Sequence, residues 1–170
     1  MSEKYHIQIL FDLLILYQIK HFLCDYPLQT PYMLGKFKAG NKWIKPLIAH
    51  AGVHFIGTFC IVVALTPKLA PALAAIDFLI HFFIDRVKAS PNLGGKWEAI
   101  SKAEYPTIAA LAKGELALTN TSFVEYQQKK VWANQKLKSN KWFWWALGMD
   151  QMAHHLTHYM IIAIVMANLQ

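Results

Sequence analysis

Residues able to do chemistry recur in this chain at one spacing. His21 and Asp25, His50 and His54, Asp77, His81 and Asp85, and Asp150, His154 and His158 all stand four apart. Residues i and i+4 share one face of a helix, about a turn apart. Each run therefore predicts a helix with a single stripe of imidazoles and carboxylates. Six of the eight histidines and four of the five aspartates fall in these stripes. Histidine nitrogens and aspartate oxygens are standard ligands for zinc, manganese or iron. Ten such groups exceed one tetrahedral site and suffice for one or two divalent ions, zinc first among them.

The segments that carry the stripes are apolar. The chain has 170 residues, 55% hydrophobic and only 16% charged, and a mean hydropathy of +0.26. Four stretches approach the roughly 20 residues that a bilayer crossing requires. They are 5–26, 43–66, 69–88 and 141–168. The first is diluted by Asp12, Gln18, Lys20 and His21. Pro67 to Pro71 predicts a tight turn between the second and third. The expected fold is an all-α integral membrane bundle of four transmembrane helices, one domain over residues 1–170, with a helical loop over 89–140. Within that loop, Trp97 to Leu118 reads as helical with breaks at Pro106 and Gly114. Phe123 to Lys138 reads as an amphipathic helix able to run into the last span.

The net charge is +7, and the lysines crowd the loops at 27–42 and 89–140. Anionic headgroups fit this pattern better than nucleic acid does. The positive-inside rule puts both loops in the cytoplasm and both termini outside, across an inner membrane. Trp43, Trp142, Trp144 and Trp145 fit an aromatic belt on the cytoplasmic side. That orientation, set by lysines alone, brings all four stripes into the cytoplasmic half of the bilayer. An ionised carboxylate at that depth is costly unless paired, so the stripes are expected to converge and to be neutralised, best by a divalent metal.

His50, His54, His81, Asp85, Asp150 and His154 are the leading ligands. His21 and His158 can complete a second metal, and Asp25 and Asp77 are placed as general base or orienting groups. Arg86 and Lys88, at the cytoplasmic end of the third span, either hold a phosphate or carboxylate of a substrate or anchor the helix end by snorkelling. His155 points about 100° away from His154 and is expected to be supporting or structural. Gln29 and Gln151 either orient ligands or cap helices. His6 and Asp12 fall toward the outer side. Cys24 and Cys60 read as inert buried thiols.

The segments HFLCDYPLQT, PLIAHAGVH, DFLIHFFIDRVKA and DQMAHHLTHY, at 21–30, 46–54, 77–89 and 150–159, resemble a family of small multi-pass bacterial and phage membrane proteins, a domain of unknown function. The resemblance implies architecture and no activity. By site chemistry alone, the stripes are similar to those of membrane-bound metal-dependent hydrolases. The expected function is therefore a membrane-embedded metal-dependent hydrolase working from the cytoplasmic side on an amphiphilic or phosphate-containing substrate. The alternatives are a metal-ion or small-solute transporter, for which two copies would have to associate, and a di-iron oxidase-like enzyme. A metal-free relay or salt-bridge network, bis-histidine haem ligation and a purely structural metal are the remaining readings.

Overall fold

The computed structural model describes residues 3–38, 40–116 and 121–169 and is all-helical, with no strand among them. Its helices are α1 (Glu3–Asp25), α2 (Ile44–Val63), α3 (Ala70–Ala89), α4 (Tyr105–Lys113) and α5 (Phe123–Ala167). The first three match the expected spans to within three residues at each end. The turn at Thr66–Leu69 is closed by the Leu69 N–H donating to the Thr66 carbonyl at 3.0 Å. Pro71 lies in the first turn of α3, where its missing N–H costs nothing.

Helix α5 is continuous over 45 residues, about 68 Å at 1.5 Å per residue. The amphipathic segment and the last apolar stretch are thus one rod. It starts at an N-cap, where the Ser122 hydroxyl accepts from the Glu125 N–H. Its first third packs against α4 through Ile108, Leu111, Ala112 and Ala133.

Two details of the 97–118 segment differ from expectation. Pro106 opens α4 rather than breaking it, while Gly114, where a break was expected, ends it in the left-handed conformation at φ +85°. Trp97 to Ser101 is not helical, because the N–H groups of Glu98 and Ile100 are taken by the Ser139 and Asn140 side chains of α5. Residues 117 and 118, the expected end of that helix, lie outside the described residues.

Helices α1, α2, α3 and α5 form a bundle whose buried positions step by three or four along each helix: 13, 17, 20, 21 and 24 on α1, and 70, 73, 74, 77, 81, 85 and 89 on α3. At one end, the floor, the interior is apolar: Leu13, Tyr17, Val62, Ala70, Leu73, Ile161, Ile162 and Val165. At the other end, the mouth, the buried residues include Lys20, Lys36, Asp77, Asp85, Asp150 and five histidines beside His21. Outward faces carry Phe11, Ile15, Phe22, Ile56, Phe83 and Leu156, all exposed. Cys24 is buried, but Cys60 is exposed. Cys60 is two residues from both buried Thr58 and buried Val62, hence on the opposite face of α2.

Two of the described helices, α1 and α2, are long and apolar enough to cross a membrane. Only 28% and 39% of their most apolar stretches is buried. Of the four expected spans, the third carries too many charges and the fourth is too polar to meet the same standard. Asp77, Asp85, Arg86 and Lys88 in α3, and Asp150 with three histidines in α5, offset their aliphatic residues.

Candidate metal centre

The four stripes face one another at the mouth end of the bundle, in three levels. The lowest is an ion pair. Lys20 Nζ of α1 donates to Asp77 Oδ2 of α3 at 2.6 Å, and the Thr58 hydroxyl of α2 donates to the same oxygen at 2.7 Å. His158 Nε2 lies 3.5 Å from the Lys20 ammonium and 3.7 Å from Asp77 Oδ1. The stem of Lys20 crosses α2 at Gly57, where an added Cβ would stand 2.9 Å from Lys20 Cγ. A residue without a side chain at 57 is therefore what lets this lysine lie inside the bundle.

The middle level is imidazole. His54 and His81 stack with ring centroids 3.6 Å apart, and His154 lies 4.1 Å from His81 by the same measure. His154 Nδ1 donates to the Asp150 carbonyl at 2.8 Å, which leaves the Nε2 lone pair buried, with no protein partner among the described residues. A backbone oxygen fixing one ring nitrogen so that the other is free is the usual preparation of a histidine ligand.

The upper level joins imidazole to carboxylate. Asp25 Oδ1 is 3.1 Å from His54 Nε2 and 3.4 Å from His50 Nε2. His50 Nε2 is 3.1 Å from Asp85 Oδ2 and 3.3 Å from His81 Nε2. His21 Nε2 faces Gln151 Oε1 at 3.2 Å and Asp25 Oδ2 at 3.3 Å, so it steadies Asp25 from behind. Two lysines complete this level. Lys36, from a short 3₁₀ helix at Met33–Phe37, donates to Asp85 Oδ2 at 2.6 Å, and Lys88 donates to Asp150 Oδ2 at 2.7 Å.

Two groups have the composition and proximity of a metal site: Asp25, His50, His54 and His81, and His81, Asp85 and His154. Within each, one ligand atom per residue lies within 4.8 Å of all the others. A tetrahedron with metal–nitrogen bonds of about 2.0–2.1 Å has edges of roughly 3.3 Å. The separations of 3.1, 3.3 and 3.4 Å around His50 and His54 match that edge. The donor set, three imidazoles and a carboxylate, suits zinc, manganese or iron. The residues present fit a divalent ion.

The assignment of individual residues differs from the expectation. Asp25, placed as a general base, sits among the ligand atoms. Asp77, also placed as a base, is held by Lys20 and Thr58 below the cluster. His21, Asp150 and His158 fall outside both groups. Gln151 orients His21 and also donates to Asp150 at 3.0 Å. Three of the four carboxylates expected to be neutralised by metal have a lysine instead, and among the described residues Asp25 has none. Lys20 and Lys36 went unassigned in the sequence. An ionisable residue inside an apolar helix is itself a signal for a buried partner, which applies to Lys20. Lys36 lies in a loop and carries no such signal.

Arg86 and Lys88 part company. Arg86 lays its guanidinium over the Trp43 ring, 3.8 Å from the centroid, as an anchor would. Lys88 lines a cavity of about 140 Å³ above the cluster, together with Asp25, Gln29, Lys36 and Gln151. His155 faces Gln18 at 3.3 Å with its ring 5.5 Å from that of His21, and His6 faces the Leu169 carbonyl at 3.3 Å, away from the cluster.

Residues 13–108 match a family described as protein of unknown function, DUF3307. No curated protein and no solved structure matches the chain. The matched residues contain α1 from Leu13 onward, α2 and α3, and so all of the group Asp25, His50, His54 and His81. His154 and the rest of α5 lie beyond them. The match covers more than half of the 170 residues, and the chain belongs to the DUF3307 family.

Proposed function

We propose that the chain is a membrane-embedded metal-dependent hydrolase, a single domain of four transmembrane helices (α1, α2, α3 and the C-terminal part of α5) in the inner membrane. Both termini are outside, and the two basic loops are cytoplasmic. Its polarity supports the embedding. Lysines and aspartates are buried while phenylalanine, leucine and isoleucine face outward, the arrangement a hydrocarbon solvent favours. The low burial of α1 and α2 argues the same way, since the core helix of a soluble protein would be mostly enclosed.

The observation that carries the hydrolase reading is the convergence of Asp25, His50, His54 and His81 beneath a cavity lined by two lysines. An ion held by those residues supplies Lewis acidity and an acidified water near neutral pH. Lys36 and Lys88 bind the anionic part of an amphiphilic or phosphate-containing substrate and orient its ester bond toward the cluster. Asp25, the least enclosed of the four carboxylates, is the member of the ligand set that faces the cavity through which water and substrate enter. His21 and Gln151 hold Asp25 in place. The apolar floor keeps bulk water from the lower side, and this weighs against a path through the bundle for a transported ion.

The test is release of product from short-chain phosphate and carboxylate esters presented in mixed micelles. The proposal expects turnover that stops with a chelator, returns on adding back one metal, and is lost in Asp25→Asn. Turnover that ignores the chelator, or none on any ester with metal bound, contradicts it. A second reading is favoured by one observation, the lysine paired with each of Asp77, Asp85 and Asp150. It makes the cluster a metal-free ion-pair and imidazole network, and absence of bound metal from the purified protein would favour it.

A further inference from the structure

Lys88 lines two cavities. One is the small polar one above the cluster. The other is a groove of about 490 Å³ between α3 and α5, within the roughly 300–1,000 Å³ of small-molecule sites. Its walls are hydrocarbon and indole, from Val87, Trp142, Trp145 and Met149, and Lys96 stands at its edge. Asp150 also lines it. Lys88 spends one N–H on Asp150 and keeps a side chain 29% exposed, so two ammonium donors remain. Asp150 Oδ1 is buried and accepts from no protein group among the described residues.

We propose that this groove binds one anionic phospholipid with a hydroxyl-bearing headgroup, its acyl chain along the wall and its phosphate on Lys88. Resting on the hydrolase reading, this names phospholipid-type amphiphiles as the substrate class. Three features commit the groove to that occupant. The wall offers an acyl chain contact and offers a peptide backbone almost no hydrogen-bond partner. Lys88 and Lys96 supply positive charge at the end where a phosphate would lie. The free Asp150 oxygen accepts a hydroxyl, which a choline headgroup lacks. A second apolar groove, between α1 and α2, is an internal contrast. It measures about 430 Å³ and includes Ile56, but its lysine, Lys20, is 4% exposed and engaged with Asp77. It should show no preference for anionic lipid.

The full chain in mild detergent, given equal phosphatidylglycerol and phosphatidylcholine, is weighed intact by native mass spectrometry, with metal content measured on the same sample. The proposal expects one retained phosphatidylglycerol and about tenfold less phosphatidylcholine, the preference one or two lysines near an anionic headgroup provide. Ala146→Phe, which fills the groove, should lower phosphatidylglycerol to the phosphatidylcholine level with metal content and helicity unchanged. Lys88→Arg should keep the preference, and Ile56→Phe in the contrasting groove should leave it intact. Equal retention of both lipids, or a preference that survives Ala146→Phe, overturns the groove. Selective retention by protein that holds no metal sustains the groove and sinks the hydrolase reading. Metal without lipid preference does the reverse.

Discussion

The two ends of the bundle use the same helices and opposite materials. The floor is closed by Leu13, Val62, Leu73, Ile161 and Val165, which need only shape. The mouth is closed by lysines, aspartates and histidines, which need partners at fixed distances. A packed apolar end tolerates changes of similar volume. A buried polar end fails when one partner is removed, because the other is left charged and unpaired. The floor therefore stabilises, and the mouth is where geometry is specified.

Lys20→Met should separate the two ends most sharply. It strands Asp77 inside the bundle and should cost about 3–5 kcal/mol, read as reversible unfolding in detergent. Adding Asp77→Leu to it should recover most of that loss. If the single variant is as stable as the parent, the Lys20–Asp77 pair does not close the mouth. At the floor, Leu73→Ala should cost less, about 2 kcal/mol from lost contacts and cavity, and should leave metal affinity alone. A shift in metal affinity would mean that the two ends are coupled. Gly57→Ala places a Cβ against the Lys20 stem and should cost about 1–2 kcal/mol by overpacking, with the change cancelled in a Lys20→Ala background, which removes the Cγ it meets. Away from both ends, Glu98→Gln removes the exposed pair with Lys136 at 2.6 Å and should leave stability unchanged within error.

The sequence made the stripes readable because i,i+4 spacing is a local property. The same logic placed α1 to α3 and joined the amphipathic segment to α5. Reach was harder to read. A lysine stem spans several ångströms, so Lys36 closes on Asp85 from a different segment, and no spacing rule connects 36 with 85. Arg86 and Lys88 were paired in the sequence because both are basic and close together. Two residues apart on a helix, they point to different sides, one to Trp43 and one to Asp150. The non-helical run from Trp97 depends on donors taken by Ser139 and Asn140, which only the folded chain brings near.

The most direct measurement is the metal content of the chain purified without chelator, by elemental analysis, beside His81→Ala. His81 belongs to both ligand groups, so its loss should empty them together. The account predicts one or two zinc, manganese or iron ions per chain in the parent and a loss of at least about tenfold in affinity in the variant. A parent that is folded and metal-free, even after incubation with each of these ions, would contradict it and leave the lysine–aspartate network as the whole content of the mouth.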